Sequence, residues 1–109
     1  MRLLITLFVL SSALLINNTE KVFAGDLESG EEIFTANCSA CHVGGNNVLM
    51  PEKTLKKDVL HDNAMDSISA ITTQVKNGKN AMPSFGARLA DEEIEQVAQY
   101  VLAQSENGW

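Results

Sequence analysis

Cys38-Ser39-Ala40-Cys41-His42 constrains this chain more than any other stretch of it. C-x-x-C-H is the pattern of covalent haem attachment, and its spacing has a chemical reason. Two thiols three positions apart lie close to one helical turn apart, so each can add to one vinyl group of a single porphyrin. The following residue, His42, then offers an imidazole nitrogen to the iron. Two other readings of close cysteines are a plain disulfide and a thioredoxin-type redox pair. The redox pair belongs beside a βαβ pattern, and no strand-like alternation occurs here. The disulfide would close so short a loop that it gains little entropy. With only two cysteines, the chain is also no disulfide-rich scaffold.

The stretch ahead of the motif reads as an export signal. Arg2 gives a positive start, Leu3 to Ile16 is apolar apart from Thr6, Ser11 and Ser12, and Val22-Phe23-Ala24 ends the segment with a small residue at the cut. This layout predicts a signal peptide over residues 1–24, cleaved after Ala24. The apolar run is too short to serve comfortably as an anchor across roughly 30 Å of hydrocarbon. The remaining domain, residues 25–109, loses Arg2, Lys21 and Glu20 and keeps 6 basic and 13 acidic residues, a net charge of −7 before any cofactor. That balance disfavours nucleic acid as a partner. A chain this short has a poor surface-to-volume ratio, and a prosthetic group would reinforce it.

Apolar spacing predicts an all-α domain. Asp26 can cap a first helix carrying Leu27, Gly30, Ile33, Phe34 and Cys38 on one face. Gly44 to Asn47 is a loop by composition, and Thr54 to His61 a short, weak helix. Asp66 can cap a further helix with Ile68, Ile71, Thr72 and Val75 inward, ending at Asn77-Gly78. Lys79 to Leu89 reads as loop, since Pro83 biases Met82 away from helical geometry. Ile94, Val97, Ala98, Val101 and Leu102 then form the clearest stripe, behind an acidic first turn. The tail from Ser105 reads as frayed.

A haem that only carries electrons needs a second axial ligand from the chain. The candidates are Met50, Met65, Met82 and His61. Met65 stands at a helix start and reads as core. His61, followed by Asp62-Asn63, reads as a surface residue. Met50-Pro51 follows too soon after His42, which must lie on the opposite haem face. Met82, in a loop between Gly78 and Gly86, lies far enough along the chain to wrap the haem. Met82 and His42 are therefore the expected axial ligands, with Cys38 and Cys41 as thioethers and one haem c per chain. Thioether ligation favours ferrous iron and raises the potential. With both axial positions filled, the expected chemistry is outer-sphere electron transfer and not catalysis.

Beyond the motif, the chain resembles the class I cytochromes c and, within them, the cytochrome c6 family of algae and cyanobacteria. The resemblance spans Asp26 to Trp109. It is carried by Gly30-Glu31-Glu32-Ile33-Phe34, by Asn77-Gly78-Lys79-Asn80-Ala81-Met82-Pro83-Ser84-Phe85-Gly86, and by Asp91 to Gln104. It implies four to five helices around one covalently bound haem, with Gly30 and Phe34 meeting Val97 and Tyr100 where the first and last helices cross. It implies Met82 as axial ligand, Gln74 as a residue that tunes the potential, and Arg88 as a docking residue. It implies electron transfer from cytochrome f of the cytochrome b6f complex to photosystem I. The setting would be the thylakoid lumen of a plastid or cyanobacterium, with transient docking and no membrane insertion. Two positions depart from the family. Ala87 replaces a frequent second Gly, and Ala90 replaces a frequent capping Ser or Thr, so Asp91 is expected to cap instead. Lys53, Lys56 and Lys57 form a further small basic cluster, and Trp109 receives no role.

Three other functions share parts of this sequence logic. A respiratory or periplasmic carrier would use the same cofactor with a terminal oxidase as acceptor. A haem enzyme or gas sensor would require Met82 not to bind iron. A thiol–disulfide protein would hold no haem at all.

Overall fold

Helices form wherever the apolar spacing is strong. In the computed structural model, which describes residues 26–109, α1 covers residues 26–37, α2 Ser39–His42, α3 Lys57–Asp62, α4 Ile68–Asn77 and α5 Asp91–Asn107. A 3-10 turn over Val43–Gly45 follows α2. Among the described residues the only β pairing is one isolated antiparallel bridge between Lys79 and Met82. The all-α expectation holds. The expected cleaved segment, residues 1–24, lies outside the described residues, and Asp26, read as a cap, already stands inside the helical run.

The core follows the stripes. Ile94, Val97, Ala98 and Val101 of α5 are buried against Ile71 and Val75 of α4, Leu60 of α3 and Phe34 of α1. Each such side chain larger than Ala98 contributes roughly 1.5–3 kcal/mol by leaving water. α1 and α5 cross at Gly30. A Cβ there would collide with the main-chain oxygen of Gln96 and come within 2.8 Å of the Tyr100 Cβ. The missing side chain is what lets the two backbones meet. One turn on, Phe34 meets Tyr100 with ring centroids 5.4 Å apart, as the resemblance implied.

Three local expectations are corrected. α4 is capped by Ser67, whose Oγ accepts from the Ala70 N–H at 3.1 Å, and not by Asp66. The acidic side chain instead accepts from His61 Nδ1 at 2.8 Å. α5 begins after Ala90, which has no oxygen to offer; Glu93 still closes half a capping box, accepting from the Ala90 N–H at 2.9 Å. Asp91 does not cap but pairs with Lys76 at 3.3 Å. The tail is not frayed: α5 runs to Asn107, Ser105 is buried, and Gly108 ends the helix in the left-handed conformation. Trp109 then folds back onto Phe34, centroid to centroid 5.3 Å.

Candidate haem site

The attachment motif sits on the turn that leaves α1. The Cys38 N–H donates to the Phe34 carbonyl at 2.8 Å and the His42 N–H to the Cys38 carbonyl at 2.9 Å, so helical bonding runs on through the motif. Both thiols are free and half-buried, and burial pushes the Cys38 thiol up to about 11. The His42 Nδ1 lies 2.9 Å from the Asn46 carbonyl oxygen. A carbonyl only accepts, so Nδ1 carries the proton and Nε2 is left with its lone pair. That is the tautomer a metal-binding imidazole needs, held by a main-chain partner.

Cys38, Cys41 and His42 line an open, largely apolar cleft of about 380 Å³ with Met82 and Gln74. Met82 reaches it through a loop suspended from α4. Gly78 ends that helix at φ 73 and ψ 171, a region essentially reserved for glycine. A Cβ on it would lie 2.8 Å from both the Met82 carbonyl oxygen and the Ser84 nitrogen. Lys79 and Met82 then exchange main-chain bonds of 3.0 and 2.9 Å, with Asn80 left-handed at φ 53 between them. Beyond Pro83, the Phe85 and Gly86 N–H groups return to the Val75 and Lys76 carbonyls at 2.9 and 3.1 Å. The loop therefore leaves the last turn of α4 and is tied back to it. One turn earlier, Gln74 donates its Nε2–H to the Met82 sulfur at 3.5 Å.

The other candidates fall as follows. Met50 and Met65 also line the cleft, and Met65 is packed against the core as expected. His61 is outside the cleft and exposed. Arg88 is exposed, with its guanidinium 5.6 Å from the centre of the Phe85 ring. The three lysines do not act as one cluster. Lys57 is paired with Glu106 at 2.9 Å, Lys53 donates to Asn63 Oδ1 at 2.7 Å, and Lys56 is exposed. Sequence reasoning missed the Asn46 carbonyl and Asn47, whose side chain bridges the Met50 N–H and the Lys53 carbonyl, each at 2.9 Å.

The donor set fits a c-type haem: two free thiols a turn apart, an imidazole with the correct tautomer, a thioether with its own donor, and apolar walls. Comparison with known proteins agrees. The family described as cytochrome c oxidase, cbb3-type, subunit III matches residues 25–101. Cytochrome c6 of Gracilaria tenuistipitata var. liui is 63% identical over 109 residues, 100% of each chain. This chain belongs to the cytochrome c6 family. Cytochrome c6 of Bumilleriopsis filiformis is 71% identical over 84 residues, 77% of this chain and 98% of its own. The structure of cytochrome c6 from the diatom Phaeodactylum tricornutum matches with a TM-score of 0.74 and 56% identity, covering 76% of this chain and 98% of that one. As a member of the cytochrome c6 family, the chain is a haem c electron-transfer protein and not an enzyme. Among the described residues no helix is long and apolar enough to cross a membrane.

Proposed function

We propose that this chain carries single electrons from cytochrome f of the cytochrome b6f complex to photosystem I, in the thylakoid lumen of a plastid or cyanobacterium, after residues 1–24 are removed. The observation that carries this reading is one cleft lined by Cys38, Cys41 and His42 together with a Met82 whose sulfur is already held by Gln74. Cys38 and Cys41 would hold the porphyrin as thioethers, and His42 Nε2 and Met82 Sδ would bind the iron. When bound, the haem supplies a one-electron ferric–ferrous couple. The chain does the rest. Asn46 fixes the His42 ring, and the walls exclude water. The Gln74 amide turns the positive end of its dipole toward the ligand sulfur, which favours the less positive, reduced iron. The Bumilleriopsis relative, matched over 84 residues that are 98% of its own length, is close in length to residues 25–109.

Docking would use the exposed apolar side chains Val43, Val48 and Leu49 near His42, with Arg88 as the steering charge. Transient redox encounters rely on such small interfaces and on electrostatic guidance. The matching family's description names a terminal oxidase subunit, so the competing acceptor is a terminal oxidase in respiration or the periplasm. The test is flash-induced re-reduction of photosystem I by the reduced holoprotein, run beside an oxidase assay at several salt concentrations. Fast re-reduction that changes with ionic strength is expected. Sluggish transfer to photosystem I with brisk oxidation by the oxidase would overturn the photosynthetic route and leave the haem assignment intact.

A further inference from the structure

Between the 3-10 turn and α3, residues 46–55 form no helix or strand, yet six of them (Asn47, Leu49, Met50, Lys53, Thr54 and Leu55) line the cleft. Four hydrogen bonds brace this loop from within. The Leu55 N–H donates to the Gly45 carbonyl at 2.7 Å and closes the neck. Inside, the Lys53 N–H donates to the Met50 carbonyl at 2.8 Å, and Asn47 bridges the two sides. Near the start, the Val48 N–H donates to the Cys41 carbonyl at 3.0 Å. One wall of the haem cleft is thus a closed loop, fastened to the helical body at its neck and, farther out, by Lys53 Nζ donating to Asn63 Oδ1 at 2.7 Å.

Trp109 stands at that neck. Its indole N–H donates to the Leu55 carbonyl at 2.9 Å, across 54 positions of sequence. Its ring lies on Gly45, where a Cβ would come within 2.6 Å of Cδ1. Its remaining neighbours are Phe34 and Tyr100 at 5.3 and 6.1 Å between centroids, at the crossing of α1 and α5. Its own N–H is tied to the Gln104 carbonyl at 2.9 Å. One side chain therefore touches both ends of the loop and both crossing helices. A plain filler would need only the ring. The N–H aimed at the Leu55 carbonyl satisfies the loop's own backbone.

We propose that Trp109 is a positioning residue for the haem: it clamps the neck of the 45–55 loop to the α1–α5 crossing and sets how closely that wall shuts out water. The consequence for the haem rests on the functional reading above, whereas the clamp does not. The test is amide hydrogen exchange and the reduction potential of the holoprotein, wild type against Trp109→Phe, with Trp109→Ala as the harsher variant. In Trp109→Phe an aromatic ring remains, and the donor goes with the rest of the indole. The amides of Val48, Lys53 and Leu55 are expected to exchange about tenfold faster relative to those of Val97 and Val101, the ratio that one ordinary hydrogen bond supplies. The potential falls as water reaches the iron's surroundings. Equal acceleration of loop and helix amides would make Trp109 an ordinary core residue and overturn the proposal. Loosened loop amides with an unmoved potential would overturn it too, because the wall would then not depend on the clamp. Failure of the wild type to show haem absorbance would sink the functional reading instead, and the exchange ratio would still decide the clamp.

Discussion

The crossing of α1 and α5 and the loop that carries Met82 are built on opposite principles. At the crossing, regular helices bring Gly30, Phe34, Val97 and Tyr100 together, and nearly every contact is apolar. The Met82 loop packs few side chains on the core, Met82, Phe85 and Leu89, and it is held by main-chain bonds to the last turn of α4 and by one glycine in a strained region. Packing of the first kind gives stability without directionality. Bonding of the second kind gives little stability but fixes one sulfur in one place. Changes at the crossing should therefore show in the unfolding midpoint, and changes at the loop in the spectrum and potential.

The largest effect tests the crossing side. Ile94→Ala removes a side chain only 2% exposed and should cost about 3 kcal/mol, measured by denaturant unfolding. The sulfur-to-iron charge-transfer band of the oxidised protein should persist wherever the chain is still folded. Loss of that band ahead of unfolding would break the contrast. Gly78→Ala comes next, at about 1–3 kcal/mol, because an alanine cannot rest at φ 73 and ψ 171. Here the band should weaken before the fold is lost, since the new Cβ presses on the Met82 carbonyl.

Gln74→Leu should move stability by no more than about 0.5 kcal/mol and lower the reduction potential, because the amide no longer polarises the Met82 sulfur. A potential that stays put or rises would remove Gln74 from the tuning role. The smallest effect lies away from both regions. Asp66, by hydrogen bond and charge, raises the His61 pKa above its ordinary 6.5, and His61 lowers that of Asp66 below 3.8. The histidine part of this stability is complete below 6.5 and is lost as pH rises through the raised value. The aspartate part is present above 3.8 and is lost as pH falls through the lowered value. The advantage of wild type over His61→Gln should thus be greater at pH 5 than at pH 8, read from thermal midpoints. An advantage that grows with pH would reverse the assignment.

The crossing was legible in the sequence because its information is periodic. Ile94, Val97, Ala98 and Val101 announce a buried stripe whatever surrounds them. The motif of Cys38, Cys41 and His42 was legible because covalent chemistry fixes its spacing, and the place of Met82 in the same cleft because a loop of that position and length can reach around. What stayed hidden has no local signature. Asp66 and Ser67 are adjacent and both able to cap, so the choice between them rests on the turn that follows α3. Ser105 continues the buried stripe of α5, but a hydroxyl there reads as an ending. The Asn46 carbonyl that sets the His42 tautomer is a main-chain atom, which no residue type advertises. Lys57 looked like part of a basic cluster because Glu106, its partner, lies 49 positions away.

Trp109 has one more consequence, an optical one. It is the only tryptophan of the chain, so its ultraviolet emission comes from a single known place, where the Gly45–Leu55 neck meets the rings of Phe34 and Tyr100. Excitation absorbed by Tyr100 can drain into it. Any widening of that neck alters the polarity around the indole and shifts its colour and yield. The molecule thus carries, without label or engineering, a built-in gauge of how firmly one side of its cofactor chamber is closed.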